Sequence, residues 1–305
     1  MVNVSDSLSH PSDCWLALMI GNSRLHWAWF VGEDLRETWN TPHLNPGNPL
    51  GWVEQGETKH FQDLLRDVNV PPNRRKSIQN WQSQDAGINL WIASVVPAQS
   101  QLWQSFPHAR FLQLDQVPLQ GMYLTLGIDR ALAVWGAIHS LGSPVLVIDA
   151  GTALTFTGAD RNGDRTHQLV GGAILPGLRL QLRSLNQETA ALPFVPMVAE
   201  SVSPMPNSPK ANSPQLPTRW ALNTPEAIAS GVVYTLIASI QSFIQDWWQR
   251  FPNSAIVMTG GDSDLLHQCL QQAYPEMANQ IAIDSQVIFR GMQAMISSST
   301  APDRS

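Results

Sequence analysis

The run Asp149-Ala150-Gly151-Thr152-Ala153-Leu154-Thr155 closes an apolar stretch with a carboxylate followed by small residues and hydroxyls. Small side chains let backbone N–H groups approach an anionic oxygen closely. The carboxylate can then hold a cation that offsets the anion's charge. The same run also reads as a plain hairpin turn, with Asp and Gly present for their backbone preferences. A second stretch repeats the pattern. LALMIGNSRLH (16–26) lies over LVIDAGTALTF (146–156) at a constant offset of 130 residues, which puts Gly21 on Gly151 and Met19 on Asp149. A β-turn-β unit repeated at half-length implies two related domains; chance likeness of two hairpins is the alternative. Thr259-Gly260-Gly261-Asp262 forms a third small-residue turn.

These turns need strands and helices to hold them. Residues 16–32 read as strand, tight turn at Gly21-Asn22, strand. Residues 33–59, rich in Gly, Pro, Asn and Thr, read mostly as connecting structure. Phe61, Leu64 and Leu65 have helical spacing within 60–68, and Pro71-Pro72 stops that helix. Residues 89–96 form a short apolar run closed by Pro97, as in a buried central strand. An Ala-rich helix is expected over 131–141, a strand over 145–149, and a turn at Asn162-Gly163 before a strand ending in GGAILPG. Helices are expected over 178–192 and 224–248, with a strand over 255–258 between the second helix and the Gly260 turn. The prolines and serines of 193–217 mark a surface insertion, assigned to 198–219. Strands alternating with helices and hairpins give an α/β fold.

Composition removes several function classes. The 305 residues carry 43% hydrophobic and only 14% charged side chains, too apolar for a disordered chain. A formal net charge of −6, with lysine confined to Lys59, Lys76 and Lys210, leaves no basic footprint for nucleic acid or an anionic membrane. Cys14 and Cys269 are too far apart in sequence for a zinc ribbon or a disulfide framework. The first residues lack a signal-peptide pattern, and no apolar run reaches spanning length, so a cytoplasmic location is expected. The tryptophans, Trp27 and Trp29 on one strand and Trp247-Trp248 at a helix end, read as packing. His10, His26, His43 and His60 are scattered and suggest no metal site.

Six motifs occur in order: IGNSR (20–24), GIDR (127–130), DAGTALT (149–155), GGAILPG (171–177), NTPEAIASG (223–231) and TGGD (259–262). The series, spanning about 15–296, resembles the type III pantothenate kinases of the acetate and sugar kinase/Hsc70/actin superfamily. The resemblance implies two ribonuclease-H-like domains with mixed sheets in a duplicated actin-like architecture, residues 15–126 and 127–297, after a frayed 1–14 and before a 298–305 tail. ATP and pantothenate are then expected to meet in the cleft between these domains. It also implies ATP-dependent phosphorylation of pantothenate to 4′-phosphopantothenate, the first step of coenzyme A synthesis.

Carried over residue by residue, Asp129 is the base toward the pantothenate hydroxyl, with Gly127, Ile128 and Arg130 around the substrate. Arg130 can offer its planar fork to the substrate carboxylate. An acidic helix N-terminus with a local ion pair is the structural alternative for Asp129-Arg130. ATP falls to Ile20, Gly21, Asn22, Ser23, Arg24, Leu25, His26 and Thr152, with Mg²⁺ accompanying it. Asp149 is the ligand of a monovalent cation, K⁺ or NH4⁺. Thr224 is a pantothenate contact supplied by the neighbouring subunit, which implies a homodimer; a helix N-cap role is its other reading.

Two positions depart from the family pattern. Met19 stands where the first motif normally has Asp, and a thioether cannot supply the oxygen that hard Mg²⁺ prefers. Gln120 occupies the usual place of a substrate-contacting Tyr, leaving Tyr123 as its replacement or as a core aromatic. The rival readings are a kinase for another small alcohol and a catalytically weak homologue serving as a regulator or binding protein.

Overall fold

Continuous apolar runs become central strands. In the computed structural model β1 (Cys14–Ile20) pairs antiparallel with β2 (Leu25–Val31) and parallel with β6 (Asn89–Ser94). The edges are β3 (Asp34–Thr41) beside β2 and β7 (Ala109–Phe111) beside β6, giving the order β3-β2-β1-β6-β7. A separate small ladder joins β4 (Val53–Glu54) and β5 (Glu57–Thr58). Residues 14–44, 53–54, 57–58, 89–104, 106, 109–163, 166–196 and 215–300 are described. The expected helix over 60–68 and most of the 198–219 insertion fall outside them.

The second sheet repeats the first. Its β9 (Val145–Ala150) pairs antiparallel with β10 (Ala153–Asn162) and parallel with β12 (Ala255–Thr259). With β11 (Thr166–Pro176) and β13 (Ile281–Ile283) outside them, the order β13-β12-β9-β10-β11 mirrors the first sheet, and the short β8 (Leu119–Gln120) extends the β11 edge. Two mixed sheets with the same order bear out the two related domains that the repeat implied, in the duplicated ribonuclease-H-like α/β architecture that the family resemblance implied. The chain divides into two compact units: Met1–Val117 with Thr125–Leu132 and Met295–Ser305, and Pro118–Leu124 with Ala133–Ala294.

The repeat does not keep one offset throughout. Ile20 faces Leu25 across the first hairpin, but Ala150 faces Leu154 across the second. The second turn is therefore one residue shorter, and the offset slips by one after it. Structurally, Met19 and His26 correspond to Asp149 and Thr155, rather than His26 to Phe156.

Helices complete each unit: α1 (Pro97–Trp103), α2 (Ile128–Leu141), α3 (Leu178–Gln187), α4 (Thr224–Arg250), α5 (Ser263–Ala273), α6 (Pro275–Ala278) and α7 (Val287–Thr300). In the first unit Leu16, Leu18 and Ile20 point to one side of β1, into a core shared with Trp27, Trp39 and Trp103. Trp27 lies parallel to Trp39 and edge-on to Trp103, and its indole N–H donates to Thr41 Oγ1 at 2.9 Å. In the second unit Leu146, Ile148, Leu154 and Phe156 share a core with α3, α4 and α5. Gly136 of α2 lies against the backbone of Val287 and Gly291, where a Cβ would have no room.

Three elements differ from the sequence reading. Residues 34–41 form β3 rather than a connection, because Trp39 and Thr41 are buried while Asp34 and Asn40 face out. The α3 helix stops at Gln187, well short of 192; Asn186 Nδ2 donates to Leu192 O and Thr189 Oγ1 to Leu185 O, side-chain bonds that compete with further helix. The α4 helix has the length and hydropathy of a spanning segment, contrary to the expectation that no run does. Here Ile228, Val232, Leu236, Ile240, Ile244 and Trp247 follow helical spacing into the second core.

Candidate functional site

The turn between β1 and β2 is pinned from several sides. Gly21 N–H donates to Arg24 O at 3.1 Å, and Val95 N–H donates to Ile20 O at 3.1 Å. Asn22, Ser23 and Arg24 are exposed, while Ile20 and Leu25 are fully buried. Any contact from these last two to a ligand is therefore through backbone. His26 stands opposite Asn40 on β3, and its Nδ1–H donates to Asn40 Oδ1 at 2.7 Å. Burial holds the His26 pKa below its usual value, opposed by that hydrogen bond and assisted by the nearby Arg24 and His43. Met19 is 2% exposed and lies between His26 on β2 and Ala93 on β6. It is an apolar core residue on the strand that ends in the turn.

Val95 ties this turn to the start of α2. Its Cγ1 is the apolar neighbour a Cβ on Gly127 would meet at 3.8 Å. A nearer obstacle at the same place is Asp129 Oδ1, so the glycine leaves the space that the carboxylate fills. Asp129 lies in the first turn of α2, where the helix dipole favours a negative charge. Its Oδ1 accepts the Arg130 N–H at 2.8 Å. Burial nevertheless raises the Asp129 pKa, with the Arg130 backbone bond and guanidinium pulling the other way. A carboxylate that is held, partly desolvated and raised in basicity is suited to accept a proton. Arg130 is 7% exposed.

The second unit builds a cluster around Asp149, at the end of β9. Gly260, with φ +94°, sits so close that a Cβ would meet both Asp149 Oδ1 and the Ala150 carbonyl. Asp262 N–H donates to Ala150 O at 2.9 Å, and Gly177 N–H donates to Thr152 O at 3.0 Å. Gly177 also has no room for a Cβ, because the Gly151 and Thr152 carbonyls lie there. Asp149, Thr152, Gly177 and Gly260 thus come together from three sequence motifs. Such a cradle of closely approached backbone beside a carboxylate has the oxygen donors that a hard cation accepts. Among the described residues no group of three or more His, Cys, Asp or Glu is placed to hold a metal. The sequence reading placed Asp262 only in the TGGD turn and missed Arg179, its partner. Asp262 is 6% exposed and pairs with Arg179 Nε at 3.3 Å, a contact spanning 83 residues that no local pattern reveals.

Thr224 and Tyr123 have other surroundings. Asn223, not Thr224, caps α4: its Oδ1 accepts the Glu226 N–H at 3.0 Å, which removes the capping role from Thr224. Thr224 instead lines a groove of about 750 Å³ between α3 and α4, with Gln181, Leu185, Leu222 and Ile228. Leu222 is fully exposed on that groove; Trp220, two residues before it, and Phe194 are also exposed. Tyr123 is 46% exposed, which overturns its reading as a core aromatic.

The chain has counterparts among known proteins over nearly its whole length. A family model of type III pantothenate kinases matches residues 15–246. The chain is 45% identical over 296 residues to the type III pantothenate kinase of Nostoc sp., covering 95% of this chain and 97% of that one. It is 40% identical over 281 residues to the type III pantothenate kinase of Synechocystis sp., covering 92% and 90%. A solved structure of a conserved protein of the Baf family of transcriptional activators from Campylobacter jejuni superposes with a TM-score of 0.52. Its identity is 18%, with 93% of this chain and 98% of that one covered. That likeness speaks to the fold and gives no support to a regulatory role.

Proposed function

The chain belongs to the type III pantothenate kinase family, and we propose that it transfers the γ-phosphoryl group of ATP to the pantothenate hydroxyl with Asp129 as base. The observation that carries this assignment is the Asp129 carboxylate, held at the start of α2 by the Arg130 N–H in a space that Gly127 leaves open. As the hydroxyl oxygen bonds to phosphorus, the bond to the ADP oxygen breaks and the hydroxyl proton passes to Asp129. Little other covalent work falls to the protein, so positioning and charge supply most of the acceleration. Gly127, Ile128, Arg130 and Tyr123 surround pantothenate in this reading, with the Arg130 guanidinium facing its carboxylate.

The turns from Ile20 to His26 and around Thr152 take the ATP phosphates through backbone N–H groups, Asn22, Ser23 and Arg24. A divalent cation arriving with ATP neutralises phosphate charge; at position 19 the protein offers it no carboxylate. Asp149 in its glycine-lined cradle is the ligand for K⁺ or NH4⁺. Thr224 completes the pantothenate site of a second subunit. The exposed Leu222 on the α3–α4 groove, together with the exposed Trp220 and Phe194, supports a homodimer. A soluble, cytoplasmic enzyme fits this reading.

The test is a phosphorylation assay with ATP and pantothenate, with and without K⁺, on wild type and Asp129→Asn. Pantothenate-dependent ADP release, stimulated by K⁺ and lost in the variant, is the expected result. Undiminished release from Asp129→Asn would remove Asp129 from the mechanism.

A further inference from the structure

His43 has no part in the readings above, yet its side chain reaches the ATP turn. Its Nε2 lies 2.7 Å from Gly21 O, across 22 residues of sequence. A carbonyl oxygen only accepts, so this nitrogen carries the hydrogen and donates. Gly21 is thereby held through both backbone groups, its N–H on Arg24 O and its C=O on His43. The next two residues, Asn22 and Ser23, form the exposed crest of the turn.

The segment that carries His43 is itself fixed. Gln99 on α1 is 6% exposed, and its side chain grips the next residue at both ends. The Leu44 N–H donates to Gln99 Oε1 at 3.0 Å, and Gln99 Nε2 donates to Leu44 O at 2.9 Å. A buried amide satisfied by the two backbone groups of one residue locks that residue against α1. Leu44 also packs in the first core. On the other side β3 ends at Thr41, whose hydroxyl is bonded by Trp27. His43 is thus suspended between two buried anchors, with its ring aimed at Gly21.

We infer that His43 is a positioning residue for nucleotide binding, holding the Gly21 peptide so that the Asn22-Ser23 crest keeps the orientation that receives the ATP phosphates, with Gln99 as its support. The inference rests on the reading of that turn as an ATP site. A rigid glycine turn matters because backbone N–H groups serve an anion only when already pointed at it; otherwise binding must first order them. With position 19 lacking a carboxylate, correct presentation of the turn carries more of ATP binding.

The experiment is steady-state kinetics on His43→Ala, His43→Phe, His43→Gln, Gln99→Leu and Asn22→Ala, with thermal melting of each. Losing one hydrogen bond that orients the turn is expected to raise the ATP KM by roughly 3- to 10-fold in His43→Ala and His43→Phe. The pantothenate KM and kcat stay near wild type. The Gln variant, which retains an amide donor at similar reach, recovers most of the loss. Gln99→Leu shows the same selective rise in ATP KM.

An ATP KM unchanged in His43→Phe while Asn22→Ala raises it would overturn the role of His43 and leave the ATP turn standing. If Asn22→Ala is also silent, the ATP reading of the turn fails and the inference fails with it. A fall in kcat and a rise in both KM values that tracks lost melting temperature, without rescue by Gln, would mean that His43 only stabilises the fold.

Discussion

Gly127→Ala tests whether the place of the Asp129 carboxylate decides turnover. The Gly127 backbone lies outside the left-handed region, so alanine adds no conformational strain of its own. What it adds is a methyl group overlapping Asp129 Oδ1. Ordinary contact between a carbon and a neighbouring heavy atom needs about 3.5–4 Å, so the carboxylate must move by on the order of 1 Å or rotate away. Either movement weakens its 2.8 Å bond from the Arg130 N–H. A misplacement of that size at a reacting group costs about 100-fold, and kcat is expected to fall by roughly that factor. ATP binding, measured by calorimetry, should remain within about twofold, since the Gly21 turn is untouched. Coupled ADP-release kinetics across both substrates provide the measurement. A Gly127→Ala enzyme within about threefold of wild-type kcat would refute the idea that the carboxylate must sit where the glycine leaves room.

Asp129→Asn should lose about 10²–10⁴-fold in kcat while gaining melting temperature at neutral pH. Burial raises the folded-state pKa of Asp129, so its charged form penalises folding as pH rises through the window from about 3.9 to that higher value. Asparagine removes the penalty, and an equal or lower melting temperature than wild type would contradict it. For the wild type, kcat should decline as pH falls through the raised value, because the base becomes protonated; a flat acid limb would count against Asp129. Met19→Asp should destabilise by about 3–5 kcal/mol, the scale for an uncompensated buried charge, read by denaturant melts. Wild-type stability with tighter Mg-ATP would instead return position 19 to the phosphate site. Changing Trp220 and Leu222 together to Ser should lower the sedimentation mass from dimer to monomer and raise the pantothenate KM. An unaltered dimer would move the interface elsewhere.

The central strands and the turns after them were legible because their signals are local: an apolar run, then Gly with Asn, Thr or Asp. GIDR likewise marked the entry to α2. What escaped depends on distance. The outward charges of β3 masked the period-two burial of Trp39 and Thr41, so the strand that supplies Asn40 to His26 and leads to His43 read as a connection. The Gln99–Leu44 grip and the Arg179–Asp262 pair join residues 55 and 83 positions apart, and composition gives no hint of either. Met19 was read as a missing carboxylate, while its burial shows what occupies the place: a side chain packed between strands. Thr224 was allowed a capping role because either residue of an Asn-Thr-Pro entry can cap, and the preceding asparagine takes it.

The unequal turns of the two hairpins bear on how such a chain can evolve. The extra residue at 21–24 is absorbed within the loop, and the strand after it re-registers so that Leu25, like Leu154, still points into its own core. An insertion of this kind remodels the crest of one copy while leaving both sheets intact. Each crest can therefore differ in length and residues while its flanking strands keep their register. One copy came to be flanked by imidazoles, the other by a carboxylate and glycines. Grafting one hairpin onto the other's strands should succeed only if the whole loop is exchanged and the graft is aligned by strand pairing, since keeping the offset of 130 would turn the inward residues of the strand after the loop, Leu25 among them, toward the opposite face.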